Sequence, residues 1–222
     1  MAALDPGANA IVHVKIVGHE IGSDGYSSSW TEESWSRTAA PYTSRMIQAF
    51  EGAPVAENVT DDTGFSQVYD AAANTIYQPP QSVGFHAVGD QSSTFRVMIL
   101  EMLNSGDAVV EGHETIAGQD CLRIAATKDY GTAADGTKYG TWYFVDAKTM
   151  DPVEWRLTRD GGKAETMHFD VYEQLPVNDE SLALLDLAAQ HSGATLNTSL
   201  ADYQKAMGIE PAGPAGDPSV KK

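Results

Sequence analysis

The chain holds a single cysteine, Cys121, among 222 residues. One thiol excludes an intramolecular disulfide framework and any Cys-x-x-Cys metal or redox site. It lies in the stretch Cys121-Leu122-Arg123-Ile124-Ala125, where a buried thiol behaves as a small hydrophobe. Basic residues are also scarce, with 14 Lys and Arg against 31 Asp and Glu, a formal net charge of −17. That balance speaks against nucleic acid, whose phosphates call for clustered Lys and Arg. It equally speaks against polybasic docking on anionic lipid. There is no run of 18 apolar residues and hence no transmembrane-helix pattern. The opening residues 1–7 lack the basic and apolar regions of a secretory signal.

Catalytic signatures are missing as well. No Gly-x-Ser-x-Gly elbow occurs, and Gly131, Gly136 and Gly140 fall in a hairpin region rather than between strand and helix, which excludes a phosphate cradle. The six histidines (His13, His19, His86, His113, His168 and His191) form no His-Glu-x-x-His pattern. His168 and Asp170 share a strand face in a period-two reading, but an ordinary wet-face pair explains them. The Asp-rich turns at Asp61-Asp62 and Asp146–Asp151 lack the ordered oxygen spacing of a calcium loop. These absences predict no enzyme, no metal and no cofactor.

What is present is an apolar, strand-rich pattern. Hydrophobic residues make up 42% and aromatics 9% of the chain, far from a disordered acidic composition. A chain this long buries roughly 70% of the surface exposed on unfolding. Val12, Val14 and Ile16 alternate with His13 and Lys15, the signature of a half-buried strand. Further strands are predicted over 27–37, 44–50, 54–60, 66–69 and 75–78. Asp24-Gly25, Asp61-Asp62-Thr63-Gly64 and Pro79-Pro80 supply the turns and stops. In the second half, strands over 109–114, 119–127, 139–145, 153–158 and 164–173 are punctuated by Asp135-Gly136, Asp146–Pro152 and Asp160-Gly161-Gly162, the grammar of an antiparallel meander.

Helices are few. Phe95, Met98, Ile99, Met102 and Leu103 fall at i, i+3, i+4, i+7 and i+8, a single apolar stripe over residues 93–105. Ser92 or Ser93 is placed to cap it, and Gly106 to end it. A second helix is predicted over 180–190 behind Asn178 or Asp179, and a third over 200–207 behind Ser199. Residues 1–208 read as one domain and 209–222, rich in Pro, Gly and Ala, as a disordered tail.

Three stretches carry a resemblance. Gly112–Ile124, Trp142–Val153 (a strand ending in Val-Asp, a turn, then Pro-Val) and His168–Pro176 followed by a leucine-rich helix resemble the LolA/LolB-like lipoprotein-carrier superfamily, in its extracytoplasmic actinobacterial type. The likeness covers about residues 10–190 in element order and 109–177 in motifs. It implies a mainly β (α+β) fold, a curved, unclosed antiparallel β-barrel or half-barrel wrapped around lid helices. It implies non-enzymatic binding of a lipid or lipoprotein acyl chain, for transport or sensing in the cell envelope. The location implied is extracytoplasmic, in the periplasm or on the outer face of the cell membrane, with a signal or transmembrane anchor trimmed ahead of the chain. Carriers usually begin with a helix before the first strand, and almost nothing precedes Ile11 here.

Alternation alone then nominates the ligand-contacting residues. Trp142, Phe144, Val153, Trp155, Leu157, Met167 and Phe169 are assigned to one apolar sheet face, with Phe95, Met98 and Met102 of the striped helix above it. The expected partner is a lipid or an acylated protein. The alternative is a regulatory domain of anti-sigma-factor type, its core filled by side chains and its partner a membrane-associated protein. A hydrolase with an unrecognised site rests only on available His, Asp and Ser.

Overall fold

The computed structural model is described over residues 9–21, 27–80, 95–127, 136–160 and 162–208. The first meander comprises β1 (Ala10–Ile21), β2 (Ser27–Arg37), β3 (Thr43–Phe50), β4 (Ala56–Asp61), β5 (Ser66–Asp70) and β6 (Thr75–Tyr77). Helix α1 (Phe95–Ser105) leads into the second, β7 (Ala108–Ile116), β8 (Gln119–Ala126), β9 (Tyr139–Asp146), β10 (Pro152–Arg159) and β11 (Gly162–Pro176). Then follow α2 (Asp179–Ala183), α3 (Leu187–Gln190), β12 (Thr195–Asn197) and α4 (Leu200–Ala206). The expected hairpin at Asp24-Gly25, the caps Ser92 and Ser93, Gly131, Asp135, Gly161 and the 209–222 tail lie outside the described residues.

All twelve described strands join one open, curved sheet in the order β12-β6-β5-β4-β3-β2-β1-β11-β10-β9-β8-β7. This is the mainly β half-barrel class that the resemblance implies. Among the described strands only β12, a three-residue strand beside β6, pairs in parallel, and no alternation in its sequence announces it. The two meanders are joined by β1 and β11, which pair from Ala10↔Pro176 to Glu20↔Glu165.

The turns follow from side-chain chemistry. Between β9 and β10, the Asp146 carboxylate accepts hydrogen bonds from the backbone N–H groups of Lys148 and Thr149, both at 2.8 Å. This is an Asx turn. Asp61 does the same after β4, accepting from Thr63 at 2.8 Å and Phe65 at 3.1 Å. The β7–β8 hairpin turns at Ala117-Gly118, both left-handed with φ of 49° and 84°.

The predicted 180–190 helix is in fact two. Asn178 and Ser181 form a reciprocal capping box at α2. Asp186 then accepts from the N–H groups of Ala188 and Ala189, starting a new helix in the middle of the leucine pattern. Aspartate favours that capping geometry over a helix interior, so the periodicity continues while the backbone breaks.

Register places the helices on opposite faces of the sheet. Because β1 pairs with β2 without a bulge, its even residues share one face and its odd residues the other. Ile16 stands opposite Phe169, and Phe169 meets Phe95 of α1 with ring centroids 5.0 Å apart. Ile11, of the other parity, is fully buried against Trp35 and Leu185. Helix α1 therefore covers one face of the second meander, whereas α2 and α3 cover the opposite face of the first.

Candidate functional site

On the α1 face, Ile99 is fully buried against Ala108, Ile124, Tyr143 and Val145. Phe95, Met98, Met102 and Leu103 pack around this cluster, so all five stripe positions face the sheet. Phe95 meets Tyr143 edge-on at 5.7 Å, and Tyr143 stacks on Trp155 at 6.2 Å.

The apolar surface does not stop at the helix. Directly paired residues form a row across eight strands: Val110, Ile124, Tyr143, Trp155, Met167, Gly18, Trp30 and Phe50. Cross-strand partners point to the same face. Trp155, Met167 and Trp30 are half-buried, and Phe50 is 50% exposed. Gly18 is the one position in the row without a side chain, and Trp30 occupies that space. A Cβ at residue 18 would stand 2.0 Å from the indole, so only glycine fits. From Trp155 to Phe50 the row crosses four strand spacings, about 19 Å. Ile16 and Phe169 flank it on the same face.

One polar atom in this face is unusual. The Trp155 Nε1 donor is shielded from water and has no hydrogen-bond partner among the described residues. A buried indole N–H ordinarily finds one. At the edge of the face, Glu165 lies opposite Leu157 and Glu20. Burial first, and then the Glu20 charge, raise the Glu165 carboxyl above its ordinary pKa.

The ten nominated residues divide between two faces. Trp155, Leu157, Met167 and Phe169 lie on the α1 face with Phe95, Met98 and Met102. Trp142, Phe144 and Val153 lie on the other face, clustered with Ile116 and Cys121. Two features defeat simple alternation here. Strand β9 is apolar on both sides, with Tyr143 and Val145 on one and Trp142 and Phe144 on the other. A register shift between Pro152 and Glu154 then turns Val153 away from Trp155. Conversely, Ile16 and Trp30 belong to the α1 face and were not nominated. The Val12-Val14-Ile16 alternation carries that signal, but only pairing shows that β1 adjoins β11.

The opposite face mixes apolar and charged side chains over β7–β10 and holds an open cleft of about 250 Å³. Trp142, Phe144 and Thr158 line it together with two arginines, Arg123 and Arg156, and Glu111 and Glu114. Arg156 lies over the buried Phe144 ring, 4.1 Å from its centroid. Its Nη1 donates to Glu114 at 2.8 Å and its Nε to Glu154. Burial alone would lower the Arg156 pKa, but these carboxylates outweigh it and hold the guanidinium charged. Among the described residues, no group of three or more His, Cys, Asp or Glu is placed to hold a metal ion. Asp170 is the bulged residue of β11, unpaired with β1, and His168 Nδ1 lies 3.8 Å from Glu154.

No protein-family model and no curated protein matches the chain. Among solved structures it is similar to MucB of Pseudomonas aeruginosa, solved in complex with MucA, at 18% identity and a TM-score of 0.43. That match covers 79% of this chain and 56% of the other, so the chain spans about half the length of MucB. It is also similar to the Mycobacterium tuberculosis lipoprotein LppX, at 12% identity, 78% and 90% coverage and a TM-score of 0.38. A putative outer membrane lipoprotein-sorting protein domain from Vibrio parahaemolyticus matches at 12% identity, 79% and 90% coverage and a TM-score of 0.30.

Proposed function

We propose that the protein is a non-enzymatic, extracytoplasmic binder of a lipid or lipoprotein acyl chain, and that the chain lies along the α1 face. The observation that carries this reading is the apolar row from Trp155 to Phe50, which continues beyond α1 as half-buried rather than closed core. An alkyl chain seated there gains from apolar burial at about 25 cal/mol per Å². Its ester or carboxyl oxygen supplies the acceptor that Trp155 Nε1 lacks. Phe95, Met98 and Met102 form the covering side, and the Met side chains adapt to chains of different length.

Titration with a fluorescent fatty-acyl probe tests it. Trp155→Glu places a charge in the row and is expected to abolish uptake while far-UV circular dichroism persists. Met167→Glu, one strand further along, is expected to do the same. Undiminished uptake by either folded variant removes this face from the site.

A protein-binding role is favoured by a different observation. Among the described residues, strand β7 is the last strand of the sheet and exposes Val109 at 47% and Val110 at 49%. Such an edge accepts a further strand. If that role is the principal one, substitution of Val110 by Lys weakens partner capture and leaves acyl-probe uptake unchanged.

A further inference from the structure

The cleft on the opposite face has no part in acyl binding, yet it is built with some care. Trp142 stands between Ala125 on β8 and Arg156 on β10, and the space two residues back is open, with Gly140 on its own strand and Thr158 beside Gly140 on β10. A Cβ at residue 140 would come within 3.4 Å of Trp142 Cζ3 and 3.0 Å of Thr158 Oγ1. The indole therefore lies down over this bed instead of standing away from the sheet. Its Nε1 donates to Glu111 Oε2 at 3.1 Å, which fixes the ring's orientation. Arg123 Nε forms an ion pair with the same oxygen at 3.2 Å. The result is a partly buried aromatic plane inside a cleft.

The rim decides which ligand suits that plane. An alkyl chain is excluded, because it would strip water from charged side chains without replacing their hydrogen bonds. An anion meets Glu111 and Glu114 in the lining and Glu154 behind Arg156. A cation meets two guanidiniums. A neutral polyhydroxylated ring meets none of these penalties. Its C–H face lies on the indole, and its hydroxyls both accept from Arg123 and donate to carboxylate oxygens. We infer that the cleft around Trp142 is a saccharide-binding subsite for one pyranose unit of a neutral glycan, separate from the acyl face.

Two-dimensional ¹H–¹⁵N spectra of the labelled protein resolve the indole N–H of each tryptophan. The probes are cellotetraose, maltotetraose and tri-N-acetylchitotriose, each titrated to about 10 mM, the range of weak single-unit sites. At least one is expected to shift the Trp142 indole resonance saturably and leave that of Trp155 in place. Trp142→Ala is expected to weaken binding at least about tenfold, and Trp142→Phe, which keeps a ring, to weaken it less. The acyl-probe titration is expected to be unaltered in both variants, so the two sites fail or stand independently. The inference is overturned if none of the three saccharides moves the Trp142 resonance. It is also overturned if choline or acetate moves it and the saccharides do not, or if Trp142→Ala binds them as tightly as the unmodified protein.

Discussion

Glu165 and Glu20 face each other across β11 and β1, at the edge of a surface that is otherwise apolar. Burial and the neighbouring charge raise the Glu165 pKa, so the folded state binds that proton more tightly than the unfolded chain. Stability is then greatest below the ordinary carboxyl value and declines as pH rises through the raised one. Glu165→Gln is expected to be more stable than the unmodified protein at neutral pH and to lose that advantage at acid pH. Urea unfolding at both pH values measures this, and a pH-independent difference contradicts it. Cys121 makes a second residue-scale case. It is fully buried, and burial pushes its thiol pKa up. A thiol reagent at mildly alkaline pH is expected to react slowly with native protein and quickly in denaturant. Fast native labelling would contradict the burial.

Secondary-structure elements are held by interactions that the sequence states unevenly. The stripe on α1 is legible because five apolar residues repeat at helical spacing, and Ile99 is its centre. Ile99→Ala is expected to cost about 2–5 kcal/mol, read from the urea midpoint. The anchoring of α2 and α3 is hidden, because its parts are charged and far apart in the chain. Arg45 and Glu57 are 5% and 6% exposed. The Arg45 Nε donates to Glu57 Oε1 at 2.7 Å and its Nη1 to the Leu184 carbonyl at 3.1 Å. The other Glu57 oxygen meets His191 Nε2 at 2.9 Å, and His191 stacks on Tyr69. Arg45 also lies over Trp35, 4.7 Å from its centroid. Removing one member strands a buried charge, so Arg45→Met is expected to lose about 3–5 kcal/mol. A loss under about 1 kcal/mol would show the pair to be dispensable, as a surface pair is. Turn chemistry was legible at Asp146 but not at Ala117, where an L side chain sits in the left-handed region. Ala117→Asn, creating the Asn-Gly turn of a tight hairpin, is expected to stabilise by about 0.5–1 kcal/mol.

At the scale of the molecule, the class of fold was readable and the partition of its surfaces was not. Alternation and Asp-containing turns gave most strands, because a half-buried strand must alternate whatever it pairs with. Two facts lay beyond that reasoning. The pairing of β1 with β11 extends the Trp155 face into Ile16 and Trp30. The double-sided apolarity of β9 sends Trp142 and Phe144 away from α1. Sequence names the residues of each strand face, but only neighbouring strands decide which faces are continuous. The central claim is that the continuous one receives an acyl chain. Native mass spectrometry of the protein mixed with palmitic acid tests it most directly. The account predicts a one-to-one adduct that is lost in Trp155→Glu and kept in Trp142→Ala. Absence of an adduct, or one that survives Trp155→Glu undiminished, would contradict it.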